Sequence, residues 1–299
     1  MTPLLTVFTP TYNRAYTLPQ LYESLCRQTG KDFVWSIVDD GSTDGTEEMV
    51  SRWIGEQRIP ILYRWQPNGG KMRAHNRGVR ECTTPLFMCV DSDDFVPDDL
   101  VDSVREKWPL ISGKGSVAGF VAYKSIKGKD GDVGVKCPFP GGDCVSLERL
   151  YDSGFFGDTT LVFKTELIRR FPFLEVEGET FSTEAYAYDQ IDRAEYVYQP
   201  VEEVWTICTY LPDGYTRTEK KLYAKNPKGW ALYYNQKALF TGRRLSQEKV
   251  EYGILYMIFA RRSGMKHIYR QSALKTPFYP VFWLMSYYFE WKWRKKYPK

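Results

Sequence analysis

At 299 residues the chain has room for one large domain or two modest ones, with ample core. Its 43% hydrophobic and 26% charged residues are ordinary for a folded soluble protein, and a formal charge of +4 is too mild to mark a nucleic-acid binder. Six scattered cysteines without a C-x-x-C pair, beside only two histidines, argue against a zinc site and read as reduced, cytosolic thiols.

The N-terminus enters an apolar strand almost at once, with no basic n-region, so no secretory signal is expected. Residues 4 to 9 read as a buried strand stopped by Pro10. Thr17-Leu18-Pro19-Gln20 has the shape of a capping box, after which Leu18, Leu21 and Leu25 keep helical spacing. Phe33 to Val38 is a second strand, ending in Asp39-Asp40-Gly41-Ser42. Asp44 with Glu47 makes a further N-cap signature, and Val50, Trp53 and Ile54 line one face of the helix that follows. Ile61 to Trp65 is a third strand, broken by Pro67-Asn68-Gly69-Gly70. Residues 71 to 81 are expected to be helical, and Pro85 to Val90 to form a fourth strand. This alternation predicts an α/β domain with a largely parallel sheet.

In such sheets ligands bind outside the C-terminal ends of the strands. Each of those ends is polar here: Thr9 to Arg14, Asp39 to Ser42, Asn68 to Lys71, and Asp91 to Asp94. The last is the densest, with three carboxylates in Asp91-Ser92-Asp93-Asp94 at the end of an apolar run. Acids packed this way repel one another and lose water, so something cationic must sit among them. A divalent metal carrying a phosphorylated ligand is one answer. A solvated acidic helix start is the other, since Pro97, Asp98 and Asp99 follow. No G-x-G-x-x-G follows the first strand and no G-x-x-x-x-G-K-[ST] is present, which argues against a dinucleotide dehydrogenase and a P-loop phosphotransferase.

Four segments share one order and spacing with a known family: Thr9-Pro10-Thr11-Tyr12-Asn13-Arg14; Val38 to Thr46; Asn68-Gly69-Gly70-Lys71 with Ala74-His75-Asn76; and Asp91 to Asp94. Together they resemble the family 2 glycosyltransferases of bacterial polysaccharide synthesis. The resemblance implies a GT-A fold, Rossmann-like with a mostly parallel central sheet, and an inverting transfer from a nucleotide-diphosphate sugar. It implies that Asp40 accepts a hydrogen bond from a uracil ring, and an acceptor-only carboxylate suits an imide N–H. The plainer reading has Asp39 and Asp40 open an Asx turn before Gly41. Thr9, Pro10, Tyr12 and Arg14 resemble the loop that frames the nucleoside, with packing the alternative for Tyr12. Lys71 and Asn76 fall where the family contacts ribose or phosphate, with a solvated loop position the alternative for Lys71. Asp91 and Asp93, around Ser92, match the ends of the family's D-x-D. In that scheme Asp93 ligates Mn2+ or Mg2+ and Asp91 touches ribose or a metal-bound water. Asp94 has no place in it.

From about residue 110 the pattern changes. Val117 to Ile126 reads as a strand and Lys127 to Lys136 as a Gly-rich, charged hairpin or loop. Gly157 to Phe163 resembles the family's strand on the acceptor side, and Thr165 can cap a short helix through Arg169. Inverting transfer needs a carboxylate to take the proton of the acceptor hydroxyl. In the family this acid opens an E-D-like pair just before a helix, after a segment much like Glu179 to Ser182. Glu184 matches that first position, Ala185 stands where many members carry Asp, and Asp189 is the rival base one turn on. A helix N-terminal acid is the plain reading of Glu184. Tyr196 to Pro200, Val204 to Tyr210 and Leu211 to Thr216 also resemble the family, whose loop there folds over the diphosphate. Arg217, Lys220 and Lys221 could pair with it, or form a basic solvated loop.

Residues 221 to 264 read as two helices, one around Gly229 to Phe240 and one capped by Ser246 that stops near Gly264. Pro277 to Trp291 is apolar and aromatic, and Lys292, Arg294, Lys295, Lys296 and Lys299 follow. The run is shorter than the roughly 20 residues that span a bilayer. Its aromatic girdle and basic end suit a helix on an anionic membrane surface. Docking on the catalytic domain, or a homodimer through this region, is the alternative.

The expected division is a catalytic domain over 1–220, with a nucleotide half at 1–110 and an acceptor half at 111–220, and a helical region over 221–299. The expected function is metal-dependent transfer from a UDP-sugar to a glycan or polyprenyl-linked oligosaccharide, peripheral on the cytoplasmic face of the cell membrane. Ala185 keeps a second possibility open, a catalytically silent sugar-nucleotide or glycan-binding subunit. A nucleotidyltransferase also uses paired acids and a metal, but lacks support from the ordered motifs.

Overall fold

The computed structural model describes residues 3–127, 133–134, 138–140, 143–209 and 222–296. In chain order the first half runs β1 (Leu5–Thr11), α1 (Leu18–Cys26), β2 (Phe33–Asp39), α2 (Thr46–Glu56), β3 (Ile61–Trp65), α3 (Lys71–Glu81), β4 (Leu86–Cys89), α4 (Leu100–Lys107) and β5 (Val117–Lys127). After it come β6 (Val133–Gly134), α5 (Leu147–Asp152), β7 (Thr159–Lys164), α6 (Thr165–Ile168), α7 (Ala185–Arg193) and β8 (Val197–Cys208). The chain closes with α8 (Pro227–Phe240), α9 (Gln247–Arg262), α10 (Ile268–Gln271) and α11 (Tyr279–Lys296).

β1 is buried along its whole length because both of its faces are covered. Leu5 and Val7 pack with Leu18, Leu21 and Leu25 of α1 on one side, while Phe8 meets Ala74 and Val79 of α3 on the other. The sheet order is β3-β2-β1-β4-β7-β5-β6, with β8 also paired to β5. β1 to β4 are parallel, whereas β7 is antiparallel to both β4 and β5, so the sheet is mixed beyond its first four strands. The chain winds outward from β1 through β2 and β3, then returns to place β4 on the other side of β1. That makes the β1/β4 boundary the topological switch point, where open α/β sheets bind ligands. The register pairs Phe8 with Cys89, so the Asp91 motif leaves the sheet there while β1 continues to Thr11.

Most expected elements form, with informative departures. Thr17 precedes α1 but makes no side-chain cap; its hydroxyl donates to the Arg14 carbonyl instead. Asp44 acts one position away from the expected cap: α2 begins at Thr46, whose N–H and hydroxyl both donate to Asp44 Oδ1. Val50 and Trp53 are buried as expected, but Ile54 is 42% exposed, since it lies at the edge of that helix face. The expected loop over Lys127 to Lys136 and the basic loop with Arg217, Lys220 and Lys221 fall largely or wholly outside the described residues.

Gly78 sets how closely α3 approaches β1. A Cβ there would come within 2.2 Å of the Phe8 ring, and Phe8 is fully buried and stacked on Phe87. Gly78→Ala is therefore expected to destabilise by about 2 kcal/mol, although alanine gains up to about 1 kcal/mol in helix propensity. Urea unfolding checks this, and an unchanged midpoint would mean the ring moves aside freely.

The chain divides into two compact units. One comprises Met1–Phe173 and Ala187–Gly214, the other Leu174–Tyr186 and Tyr215–Lys299. The segment 174–186 thus belongs to the same unit as the C-terminal helices. Within that unit Glu179 accepts from the Lys228 and Gly229 N–H groups at 2.6 and 2.7 Å, a carboxylate on the first turn of α8. Asn226 returns the contact, its Oδ1 accepting from the N–H groups of Thr180 and Phe181. Trp230, Tyr256, Met257, Phe259 and Leu274 form this unit's core. Among the described residues no helix is long and apolar enough to cross a membrane.

Candidate functional site

The loops at the C-terminal ends of β1, β2 and β3 are tied to one another before any ligand arrives. Asn13, in the left-handed region at φ 52°, donates its N–H to Ser42 Oγ at 2.8 Å and accepts from the Thr43 N–H at 2.8 Å. Asp39 is fully buried and accepts from the Ser42 N–H and the Tyr63 hydroxyl, which makes it a turn-former as the plain reading had it. Asp40 accepts three hydrogen bonds, from Gln66 Nε2 at 2.7 Å, the Gly69 N–H at 2.9 Å and the Gly70 N–H at 2.6 Å. A carboxylate offers about four lone-pair directions, so these three bonds do not exhaust Asp40, although only 3% of the residue is exposed. Gly41 has φ 89°, and a Cβ there would meet the Asn68 backbone N at 2.9 Å. Glycine is what lets β2's loop and the Asn68–Gly70 loop close on each other.

Beside this rim, β4 delivers the acids. Lys71, the first residue of α3, places Nζ 2.8 Å from Asp91 Oδ1. Lys124, in the middle of β5, places Nζ 2.6 Å from Asp94 Oδ2. Burial works against the charge of Asp91, but Lys71 and then Lys124 outweigh it and hold its carboxyl well below the usual range. Burial raises Asp94, Lys124 opposes, and the charges of Asp91 and Asp93 add to the rise. Asp93 is also raised, by burial and then by the charge of Asp91, with Arg14 near enough to oppose. Three carboxylates thus face two lysines, and the lysines pair with Asp91 and Asp94.

Lys124 and Asp94 complete the cluster, and neither had been assigned a role from the sequence. Their signal was present in Val117 to Ile126, where a lone lysine interrupts an otherwise apolar strand and needs a buried counter-charge. Other expected residues turn away. Thr9 is fully buried, accepting from Trp35 Nε1 at 3.0 Å, and Pro10 is buried beside it. Asn76 is 5% exposed, with its amide bonded both ways to the Phe173 backbone at 2.8 and 2.9 Å. Thr9 and Asn76 are thus both bonded into the scaffold. His75, stacked on Phe173 at 3.9 Å, is lowered to about 3 by burial and then by Lys71, so it is neutral. Tyr12 is half exposed rather than packed, and the Arg14 guanidinium donates to the Tyr16 hydroxyl. Ser92 is buried between the acids. Glu184 directly precedes α7 and belongs to the unit with the C-terminal helices, whereas Asp189, inside α7, belongs to the sheet unit.

Among the described residues, no three acidic, histidine or cysteine side chains are placed to hold a metal by themselves. Asp91 and Asp93 are nonetheless hard oxygen donors, and Asp93, raised by burial and then by Asp91, is the acid of the cluster that neither lysine pairs with. Donors of this kind suit a divalent ion such as Mn2+ or Mg2+ that takes its other ligands from phosphate oxygens.

Residues 6–130 match the model of glycosyl transferase family 2. Glycosyltransferase GlyA of Streptococcus pneumoniae is 30% identical over 124 residues, 42% of this chain and 18% of that protein. The chain thus spans under a fifth of that relative's length. Among solved structures, Staphylococcus aureus TarS 1-349 in complex with UDP-GlcNAc superposes with a TM-score of 0.58 at 17% identity, covering 95% of this chain and 79% of that one. The mannosyltransferase PcManGT from Pyrobaculum calidifontis, in complex with GDP-Man and Mn2+, gives 0.54 at 16% identity, over 88% and 74%. Residues 6–130 thus carry the likeness to glycosyl transferase family 2, and the chain shares its fold with these solved glycosyltransferases.

Proposed function

We propose that the chain is an inverting glycosyltransferase. It moves a sugar from a UDP-sugar to a glycan or polyprenyl-linked oligosaccharide in bacterial surface polysaccharide synthesis, working peripherally at the cytoplasmic face of the membrane. The observation that carries this reading is the acid cluster at the β1/β4 switch point, where Lys71 pairs with Asp91, Lys124 with Asp94, and Asp93 with neither. The family match and the UDP-GlcNAc complex of TarS, a structure of the same fold, support a uridine donor. The Mn2+ in PcManGT supports a divalent ion.

Asp93 and Asp91 would hold that ion, which when bound supplies Lewis-acid stabilisation to the leaving diphosphate. The remaining work belongs to the chain's own residues. Asp40 uses its remaining acceptor direction for the imide N–H of uracil, while its other bonds keep the rim rigid. Tyr12 and Arg14 frame the nucleoside, and Lys71 presents a cation to the diphosphate from the first turn of α3. On the acceptor side Glu184 takes the hydroxyl proton as the acceptor oxygen bonds to the sugar C1. The bond from C1 to the β-phosphate oxygen breaks, and its electron pair leaves with UDP. Asp189 is the alternative base.

A panel of UDP- and GDP-sugars with Mn2+, followed by nucleoside-diphosphate release, tests the reading. UDP release from one donor is expected, and Glu184→Gln should lower kcat by about a hundredfold or more while leaving UDP affinity unchanged. UDP binding without turnover across the panel would make the chain a silent binding subunit. Release of pyrophosphate in a parallel assay with nucleoside triphosphates and sugar phosphates would make it a nucleotidyltransferase.

A further inference from the structure

Helix α11 is apolar on two sides: Tyr279, Phe282 and Trp283 pack into the core of its unit, and a second apolar face is exposed. From Tyr279 to Trp291 its one charged residue is Glu290, which is 8% exposed. Glu290 and the fully buried Ser286 face α9, where the Arg261 guanidinium donates to them at 2.9 and 2.6 Å. The same guanidinium lies 3.9 Å from the centre of the Tyr287 ring and 4.8 Å from that of Trp283. These polar groups fasten the helix together with its core-facing aromatics, and further apolar side chains are left outside. Val281, Leu284, Tyr288 and Trp291 recur three or four residues apart on one helix face, and each is more than half exposed. On the flank, Met285 and Phe289 open into a groove of about 960 Å³ against Val250, Ile254 and Ile258 of α9. Single apolar residues on a surface need no partner, but a continuous stripe with an apolar groove beside it does.

Charge selects that partner. The stripe runs into Lys292, Arg294, Lys295, Lys296 and Lys299, and no acid follows Glu290. No helix among the described residues is long and apolar enough to cross a bilayer. An anionic bilayer surface meets both requirements at once: an apolar layer for the stripe, and head-group phosphates for the basic end. We propose that the outer face of α11 is a monotopic docking surface for bilayers containing anionic phospholipid. Leu284, Tyr288 and Trp291 enter the boundary between head groups and acyl chains, and the α9–α11 groove extends the apolar contact. This deepens the membrane-side part of the function proposed above, but it stands on α9 and α11, so lipid binding measured without any donor keeps the two readings separable.

Co-sedimentation of the full chain with phosphatidylcholine vesicles, with and without phosphatidylglycerol, tests the proposal. Binding is expected to be at least about tenfold tighter with phosphatidylglycerol and to weaken as salt rises. The double variant Leu284→Glu/Tyr288→Glu, both positions being exposed, should keep the wild-type circular dichroism spectrum and lose at least about tenfold in vesicle affinity. Failure of the wild type to bind phosphatidylglycerol vesicles, or full binding by the folded double variant, would overturn the proposal. So would a wild-type dimer that the double variant converts to monomer, since the stripe's occupant would then be a second copy of the chain.

Discussion

Asp93→Asn is expected to lower nucleoside-diphosphate release by at least about a hundredfold, the scale on which a single electrostatic contributor to a transition state acts. The substitution is nearly isosteric and removes the charge of the one acid in the cluster that neither lysine pairs with. Stability should move the other way. Burial and the neighbouring Asp91 raise Asp93, so the folded state disfavours its charged form relative to the unfolded chain. A neutral amide relieves that repulsion, and the melting temperature of Asp93→Asn should equal or exceed that of the wild type. A loss of activity together with unchanged or higher stability is the signature of a residue kept for function at a cost in stability. Activity within threefold of wild type would remove Asp93 from the mechanism.

Lys124→Met should act on the fold itself. It leaves the Asp94 carboxylate, 4% exposed and 2.6 Å from the lysine it has lost, without its counter-charge. Breaking one side of a buried pair costs about 3 kcal/mol or more, because the remaining charge stays desolvated. Lys124 retains 20% exposure, which moderates the loss, so about 2 to 3 kcal/mol by urea unfolding is expected. Adding Asp94→Leu should recover most of it, since an apolar pair in place of a buried ion pair is often neutral or stabilising. Two losses that simply add in the double variant would mean the residues act independently and the pair does not anchor β5 to the acid loop.

The local grammar of the first half was largely readable from its residues. Lys71 to Glu81 forms a helix over the expected span, burying Met72, His75, Asn76 and Val79 on one face, and Ser246 caps α9 by accepting from the Lys249 N–H. What escaped were interactions between distant segments. Thr9 and Asn76 lie in the motif positions of ligand contacts, yet their partners, Trp35 and the Phe173 backbone, sit 26 and 97 residues away. Nothing near either residue in sequence names those partners. Asp94 had no role until Lys124, a residue on another strand, supplied its charge. The segment 174–186 carries the candidate base, but its attachment to α8 through Glu179 and Asn226 depends on chain nearly 50 residues further on. Spacing reports what a stretch of chain can form alone, whereas a buried polar atom is defined by what the fold brings to it.

The central claim is that the β1/β4 switch point binds a uridine diphosphate group through Asp93. Isothermal titration of UDP into the wild-type chain and into Asp93→Asn, each with and without Mn2+, tests it most directly. The account predicts that Mn2+ tightens UDP binding to the wild type by about tenfold or more, and that Asp93→Asn abolishes this gain while leaving the weaker, metal-free binding intact. No UDP binding by the wild type in the presence of Mn2+, or an undiminished Mn2+ effect in Asp93→Asn, would contradict it.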